Sequence, residues 1–238
     1  MADQEQPFQR GMVIMAHPDD AEWTCSATVA KWCAEGWEVV YVLCTDGSKG
    51  SDDPEMTSEQ LVKIREEEQR EAGRVLGLKD VVFLGYPDSQ LEPTMELRKD
   101  LAREIRRHRP DVVITENPVR GGLNEPDYAG HPDHLAAGEA TLSAVFPTAR
   151  DRLTFPELLD EGLEPHKVKE IWIAGGGEGS DMFVDVADHM ATAITALKAH
   201  RSQVSEKAAD KYFPQGRAET AKKVGWEYAE AFRRIKMW

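Results

Sequence analysis

Met12-Val13-Ile14-Met15-Ala16-His17-Pro18-Asp19-Asp20 is the stretch that decides the fold of this 238-residue chain. Its first five residues are apolar and predict a buried strand, and an imidazole and two carboxylates follow directly at the end of that strand. Ligand sites in open α/β sheets collect at such strand ends. The stretch therefore predicts both the first strand of a sheet and a functional site beside it.

Outward from this stretch, apolar strands alternate with charged helices. The predicted strands are Gly11–Ala16, Glu38–Cys44, Val81–Leu84, Val112–Thr115, Glu170–Ala174 and Met182–Val186. The predicted helices are Ala21–Glu35, Ser58–Leu76, Glu96–Arg109, His134–Val145 and Met190–His200, followed by a helix-rich segment over Ala208–Met237. This alternation is typical of an α/β fold with a mostly parallel, doubly wound (Rossmann-like) sheet and helices on both faces. No linker divides the chain, so we expect a single domain over residues 1–238 with a C-terminal helical tail from 208 to 238.

Composition excludes several classes of function. Acidic residues outnumber basic ones by 43 to 29, a formal charge of −14, which argues against nucleic acid as a partner. No apolar run reaches the length of a membrane span, and the N-terminus is polar, so neither a membrane partner nor a signal peptide is expected. Cys25, Cys33 and Cys44 are an odd number without CxxC spacing, which indicates reduced thiols and a cytoplasmic protein. The sequence leaves the oligomeric state open, a homo-oligomer included.

A second motif, His131-Pro132-Asp133-His134, follows a loop rich in glycine and proline. Together with His17 and Asp20, His134 offers a His-Asp-His ligand set. Zinc binds imidazole nitrogen and carboxylate oxygen, and a catalytic zinc keeps one position for water. Two histidines and one carboxylate are also the facial triad of non-haem iron oxygenases. The extra carboxylate of Asp19, placed to act as a general base, favours hydrolysis over oxygen chemistry.

Both motifs resemble those of the LmbE-like (PIG-L) superfamily of metal-dependent N-acetylglucosaminyl deacetylases. Ala16–Asp20 matches its Ala-His-Pro-Asp-Asp signature, and His131–His134 matches its later His-Pro-Asp-His signature. The likeness extends from about Met12 to Gln203. It includes Thr45–Gly50, Phe83–Asp88, Arg109–Val113 and His200–Gln203, and in the helix between the first two it includes Arg65, Glu68, Ala72 and Leu76-Gly77. The resemblance implies an α/β hydrolase that uses zinc, or another divalent metal such as Fe²⁺.

The resemblance also implies roles for individual residues. His17, Asp20 and His134 match the zinc ligands, and Asp19 matches the general base. His131 matches the histidine that stabilises the tetrahedral intermediate, and we expect it to be protonated.

Three further positions complete the set that the resemblance implies. Asp133 matches the carboxylate that orients His131. Arg65 and Asp88 match positions that hold the sugar in some members. Their fork of donors and pair of acceptors suit vicinal sugar hydroxyls.

The implied reaction is removal of an acetyl group from a small N-acetylglucosamine-type substrate. Two alternatives stay open: an amidase of the same fold that cleaves a different amide, in a thiol conjugate or an antibiotic intermediate, and a non-catalytic sugar-binding homologue. Departures from the family pattern at Ala21 and at Ser26-Ala27 leave the sugar and its aglycone undecided. Three residues have no assigned role at this point, namely Trp23, Tyr128 and His200.

Overall fold

Seven strands form one sheet in the computed structural model, which describes residues 8–120, 130–175 and 179–238. The strands are β1 (Arg10–Met15), β2 (Glu38–Thr45), β3 (Asp80–Tyr86), β4 (Val112–Thr115), β5 (Glu170–Ala174), β6 (Met182–Asp185) and β7 (Ala229–Lys236). Their order across the sheet is β3-β2-β1-β4-β5-β7-β6. The pairings from β3 to β5 are parallel, and β7 is antiparallel to both of its neighbours. The expected mostly parallel α/β sheet is confirmed.

The helices connect these strands. They are α1 (Asp20–Ala34), α2 (Ser58–Leu76), α3 (Met95–His108), α4 (Pro132–Val145), the short α5 (Glu157–Asp160), α6 (Met190–Leu197) and α7 (Phe213–Ala221). Local chemistry sets the bounds of α2 closely. Thr57 and Gln60 form a capping box at its start, and Gly77 ends it in the left-handed conformation.

Helices cover both faces of the sheet because β1 is apolar on both sides. Met12 and Ile14 face the core shared with α3 and α4, whereas Val13 and Met15 face the core shared with α1, α2 and α6. Alternate side chains of a strand point to opposite faces, so an uninterrupted apolar run fits a strand that is buried twice. The result is a single α/β domain.

The strand order fixes where a site can form. β1 lies between β2 and β4, so the chain moves outward from β1 to β3 and then crosses back to the other side of β1. The loops that follow β1 to β4 all leave from the carboxyl edge of these parallel strands.

The helix prediction for the tail is wrong over β7. The structure has a π-helical turn at Ala208–Tyr212 and then α7, but Ala229–Lys236 is a strand between β5 and β6. Its residues, Ala-Glu-Ala-Phe-Arg-Arg-Ile-Lys, are mostly helix formers. Burial of Phe232 against Trp172 and pairing on both sides override that local preference.

Two further expectations concern the chain as a whole. None of the helices within the described residues is long and apolar enough to cross a membrane. Cys25, Cys33 and Cys44 are free thiols, of which Cys25 and Cys44 are buried and Cys33 is half-buried.

Candidate active site

The turn after β1 brings His17 and Asp20 together. Asp19 has a left-handed backbone, with φ of 93°, which is uncommon for a residue with a side chain. The chain turns there, and Asp20 begins α1. One oxygen of Asp20 accepts the His17 backbone N–H at 2.7 Å and lies 3.1 Å from His17 Nδ1.

The N-terminus of α4 supplies the second half of the site. His131 caps this helix, since its Nδ1 accepts the backbone N–H of Asp133 at 3.2 Å, and His134 follows in the first turn. Gly138 allows α4 to approach the end of β4 closely. A Cβ at this glycine would lie only 2.5 Å from the backbone oxygen of Glu116.

The donor atoms of the predicted ligand set lie close together, with one oxygen of Asp20 facing His17 and the other facing His134. His17 Nδ1 lies 3.1 Å from Asp20 Oδ2 and 3.3 Å from His134 Nε2, and His134 Nε2 lies 3.3 Å from Asp20 Oδ1. Tetrahedral ligands at 2.0–2.1 Å from an ion are separated by about 3.3 Å. The residues therefore fit a divalent metal ion.

The second nitrogen of each imidazole faces a carboxylate. His17 Nε2 lies 3.2 Å from Asp88 and 3.2 Å from Asp133, and His134 Nδ1 lies 3.2 Å from Glu116. Metal-binding histidines commonly make such a contact, which fixes the ring orientation and raises its basicity. Both imidazoles thus have the surroundings of metal ligands.

Asp133 lies in the site, and its carboxylate has several partners. It accepts the backbone N–H groups of Ser89 at 2.7 Å and Leu91 at 3.2 Å, and it contacts His17. The backbone N–H of Asp133 donates to His131 Nδ1. This contact argues against the expected protonated His131, because an Nδ1 that accepts a hydrogen bond carries no proton.

Glu116 is a site residue that the sequence reasoning missed. It is buried directly after β4, and its Oε2 accepts the backbone N–H of Ala16 at 3.1 Å. Burial, together with the charge of Asp20, raises the pKa of Glu116 well above its usual range. The available signal was its place immediately after the apolar strand Val112–Thr115, the same relation that His17 has to β1.

The site concentrates negative charge. The carboxylates that contact the two imidazoles are those of Asp20, Asp88, Glu116 and Asp133. Burial lowers the pKa of His17, but hydrogen bonds with Asp20 and Asp88 more than offset burial and raise it to about 11. Burial opposes ionisation of Asp20, yet His134 and His17 hold its pKa well below the usual range. A cation is thus strongly favoured between these groups.

Asp19 has surroundings unlike those of its neighbour. Its carboxylate lies 3.5 Å from the Arg65 guanidinium. Burial and the charge of Asp20 raise the pKa of Asp19 to about 7, against the opposing charge of Arg65. A carboxyl group that titrates near neutral pH suits proton transfer.

Arg65 and Asp88 are both buried beneath the loop that follows β2. The Arg65 guanidinium donates to the backbone oxygens of Pro18 at 2.7 Å, Gly47 at 3.0 Å and Lys49 at 3.3 Å. Asp88 accepts the backbone N–H of Lys49 at 3.0 Å. These contacts tie the turn after β1 to the loop after β2.

The three residues without an assigned role have different positions. His200 is fully buried, and its Nε2 lies 3.1 Å from Glu22 Oε2. Trp23 packs edge-to-face on Phe213 with ring centroids 6.1 Å apart. Tyr128 lies outside the described residues.

Comparisons with known proteins agree with this geometry. Residues 12–145 match the family model PIG-L, GlcNAc-PI de-N-acetylase. Diacetylchitobiose deacetylase of Thermococcus kodakarensis is 32% identical over 234 residues, covering 96% of this chain and 85% of the relative. The 1D-myo-inositol 2-acetamido-2-deoxy-alpha-D-glucopyranoside deacetylase of Thermomonospora curvata is 30% identical over 247 residues, covering 82% and 81%.

A solved structure extends the agreement to three dimensions. The N,N'-diacetylchitobiose deacetylase of Pyrococcus horikoshii, in complex with its inhibitor MPG, superposes with a TM-score of 0.87 at 29% identity. The match covers 99% of this chain and 88% of that one. The family model spans both motifs and more than half of the chain, so this protein belongs to the PIG-L (LmbE-like) family of de-N-acetylases.

Proposed function

We propose that this protein is a metal-dependent hydrolase that removes the N-acetyl group from an N-acetylglucosamine-type amino sugar or glycoside. The observation that carries the proposal is the convergence of His17, Asp20 and His134, whose donor atoms approach one another to 3.1–3.3 Å. The related deacetylases act on substrates that share this N-acetylglucosamine unit.

His17, Asp20 and His134 would hold the metal, and their two nitrogens and one carboxylate suit zinc. When bound, such an ion supplies Lewis acidity: it brings the pKa of water to roughly 7 and polarises the amide carbonyl. The carboxylates behind the two imidazoles keep the rings oriented toward the ion.

Asp19 would be the general base. One of its oxygens accepts a proton from water as the water oxygen bonds to the acyl carbon. The same carboxyl group then returns the proton to the sugar nitrogen as the carbon–nitrogen bond breaks. Acetic acid and a free amino sugar leave, Asp19 is again ionised, and the acetic acid loses its proton to the solvent at neutral pH. A carboxyl pKa of about 7 suits both directions of this transfer.

His131 would stabilise the oxyanion that forms in this reaction. Its Nδ1 accepts the Asp133 N–H, so the neutral ring carries its proton on Nε2. Burial and the positive charge of His17 lower the pKa of His131, in keeping with a neutral donor. The Nε2–H then donates to the acyl oxygen as negative charge develops there.

Arg65 and Asp88 complete the proposal as the residues that bind the sugar. Their buried contacts with Gly47 and Lys49 support a particular form of this role, in which they hold the loop that borders the sugar. Asp88→Ala should therefore raise KM for an N-acetylglucosaminide more than for a short acetamide that does not reach the loop. Both assays use saturating metal, because Asp88 also lies 3.2 Å from His17 Nε2. An equal loss of kcat/KM on both substrates would then remove the role in sugar binding.

We further propose that the sheet is doubly wound and Rossmann-like, supported by the reversal of strand order at β1 and β4. A cytoplasmic location is proposed on the three free thiols.

The test is release of acetate and free amine from N-acetylglucosamine, N,N'-diacetylchitobiose and an N-acetylglucosaminyl inositol. We expect equimolar products from at least one substrate, loss of turnover with a chelator, and recovery with zinc. Turnover of only non-sugar acetamides would instead identify an amidase. Binding of these sugars without release of acetate would identify a sugar-binding homologue.

A further inference from the structure

Asp19 occupies the N-cap position of α1, yet its side chain does not cap the helix. The usual reason for an aspartate at this position is therefore missing. Its backbone is left-handed, which an aspartate adopts only at some cost in free energy. Some other contact must stabilise this conformation.

That contact comes from α2. The backbone N–H of Asp19 donates to Gln69 Oε1 at 3.0 Å. The other end of the same amide is fixed as well, since Gln69 Nε2 donates to Glu22 Oε1 at 3.0 Å. If the amide were flipped, its N–H groups would face the Asp19 N–H, which is also a donor. Its oxygen would face the Glu22 carboxylate, which is also an acceptor. Only one orientation of Gln69 satisfies both neighbours.

A third residue anchors this pair. Glu22 Oε2 lies 3.1 Å from His200 Nε2, so a continuous chain of contacts joins His200, Glu22, Gln69 and Asp19. The first three side chains are 0% exposed. No water can replace a lost partner at such depth without rearrangement, so the chain holds its geometry.

We propose that Gln69 is the positioning residue for Asp19, with Glu22 and His200 as its buried anchor. Gln69 acts through the backbone: it holds the left-handed turn that aims the Asp19 carboxylate. The proposal rests on the proposed function, in which Asp19 accepts the proton of the attacking water.

The first test is Gln69→Met, which keeps the length of the side chain and removes the acceptor. We expect kcat to fall by about 10- to 100-fold, because small misplacement of a reacting group is costly. KM and metal content should stay near their wild-type values, since Gln69 contacts none of His17, Asp20 and His134 in the contacts described above.

Gln60→Met is the matched control. Gln60 lies on the same helix and also accepts a backbone N–H, that of Thr57 at 2.9 Å, but it is exposed at the start of α2. This variant should lower the melting temperature and leave kcat unchanged. An equal loss of kcat in both variants, or a parallel loss of metal from Gln69→Met, would overturn the positioning role.

A second variant pair tests the chain of contacts itself. Gln69→Glu places two carboxylates against each other and should lose activity. The double variant Glu22→Gln/Gln69→Glu restores every contact of the chain. The amide introduced at position 22 can donate to the carboxylate introduced at position 69 and accept from His200, and that carboxylate can still accept the Asp19 N–H. We expect it to recover most of the lost kcat, and no recovery would contradict the proposal.

A crystal structure of Gln69→Met gives a readout that does not depend on turnover. The Asp19 carboxylate should shift from its wild-type position while Asp20 stays in place, and an unmoved carboxylate with φ still near 93° would overturn the proposal. If the wild-type protein releases no acetate from any sugar, the proposed function fails, while this structural readout still decides the role of Gln69.

Discussion

At the scale of single residues, Asp19 and Asp20 are neighbours with opposite surroundings. Asp20 faces two imidazoles, which hold its pKa well below the usual range against the effect of burial. Burial and the charge of Asp20 raise the pKa of Asp19 to about 7. Two carboxyl groups whose pKa values are driven apart can divide the work of ligand and base.

Asp19→Asn should bind metal as the wild type does and lose turnover. The amide has nearly the same shape but cannot accept the proton from water, and loss of a general base costs ~10²–10⁴ in rate. Elemental analysis and acetate release measure the two effects. Asp52→Asn, an exposed position in the loop after β2, is the control and should be fully active. Near wild-type turnover of Asp19→Asn would show that another group is the base.

Glu116→Gln should weaken metal binding. The variant keeps the size of the side chain but cannot ionise, so it cannot supply a carboxylate to His134 Nδ1, 3.2 Å away, when a metal ion favours the charged form. Loss of such an outer contact typically lowers metal affinity by about 10- to 100-fold. Competition with a chelator measures this affinity without any assay of activity. Glu139→Gln, exposed on the same helix α4, should bind metal normally, and equal affinities in both variants would contradict the role.

The sequence motifs predicted candidate site residues, but neither Glu116 nor Gln69 was among them. His17 and Asp20, like His131 and His134, are three residues apart, so one turn brings each pair together. Glu116 and Gln69 contribute through contacts that span 100 and 50 positions of the chain. Such contacts depend on strand order and helix packing, which no local pattern encodes.

At the scale of elements, the approach of α4 to β4 is a condition for the site. A Cβ at Gly138 would meet the backbone oxygen of Glu116 at 2.5 Å, and backbone cannot move aside as a side chain can. Gly138→Ala should push α4 outward, carry His134 away from His17, and cost about 1–3 kcal/mol of stability. Thermal unfolding and metal content measure both effects.

The control for this variant is Gly216→Ala in α7. Nothing lies within 4 Å of a Cβ there, and alanine is the better helix former. We expect this variant to be as stable as the wild type or slightly more so. If Gly138→Ala were equally well tolerated and kept its metal, the close contact would not limit the site.

The strand β7 shows why element prediction failed at the tail. Composition favoured a helix, and nothing nearby marked Ala229–Lys236 as a strand. The strand forms because it can pair with β5 on one side and β6 on the other, and because Phe232 and Glu230 are buried there. By contrast, the apolar runs of β1, β2 and β4 predicted their own structure, since a strand buried on both faces needs apolar side chains throughout.

At the scale of the whole molecule, stability should depend on the charge of His200. Burial lowers its pKa, but the charge of Glu22 and their hydrogen bond raise it above the ordinary value. The folded state then binds the proton more tightly than the unfolded chain. The contribution of His200 to the free energy of unfolding is complete below its pKa in the unfolded chain, about 6.5. It is lost as the pH rises through the raised pKa of the folded state.

Melting temperatures of the wild type and His200→Gln test this dependence on pH. They are measured between about pH 5.5 and 9, an interval that includes the unfolded pKa of about 6.5. The difference between the two proteins should narrow as the pH rises. His166→Gln is the control of opposite sign: burial lowers the His166 pKa, and its Nε2 contacts the Pro110 carbonyl at 2.7 Å. The difference in melting temperature between the wild type and His166→Gln should widen as the pH rises. If this difference changed with pH in the same way for both variants, the raised pKa of His200 would be contradicted.

The place of β7 in the sheet also constrains the order in which the molecule can assemble. β7 lies between β5 and β6 and pairs with both, although it follows both of them in the chain. During synthesis, one edge of β5 and both edges of β6 remain unpaired until β7, which ends at Lys236, has left the ribosome. Unpaired strand edges are where nascent chains associate wrongly with one another. The candidate active site, at the carboxyl ends of β1 to β4, can be in place before β7 completes the opposite half of the sheet.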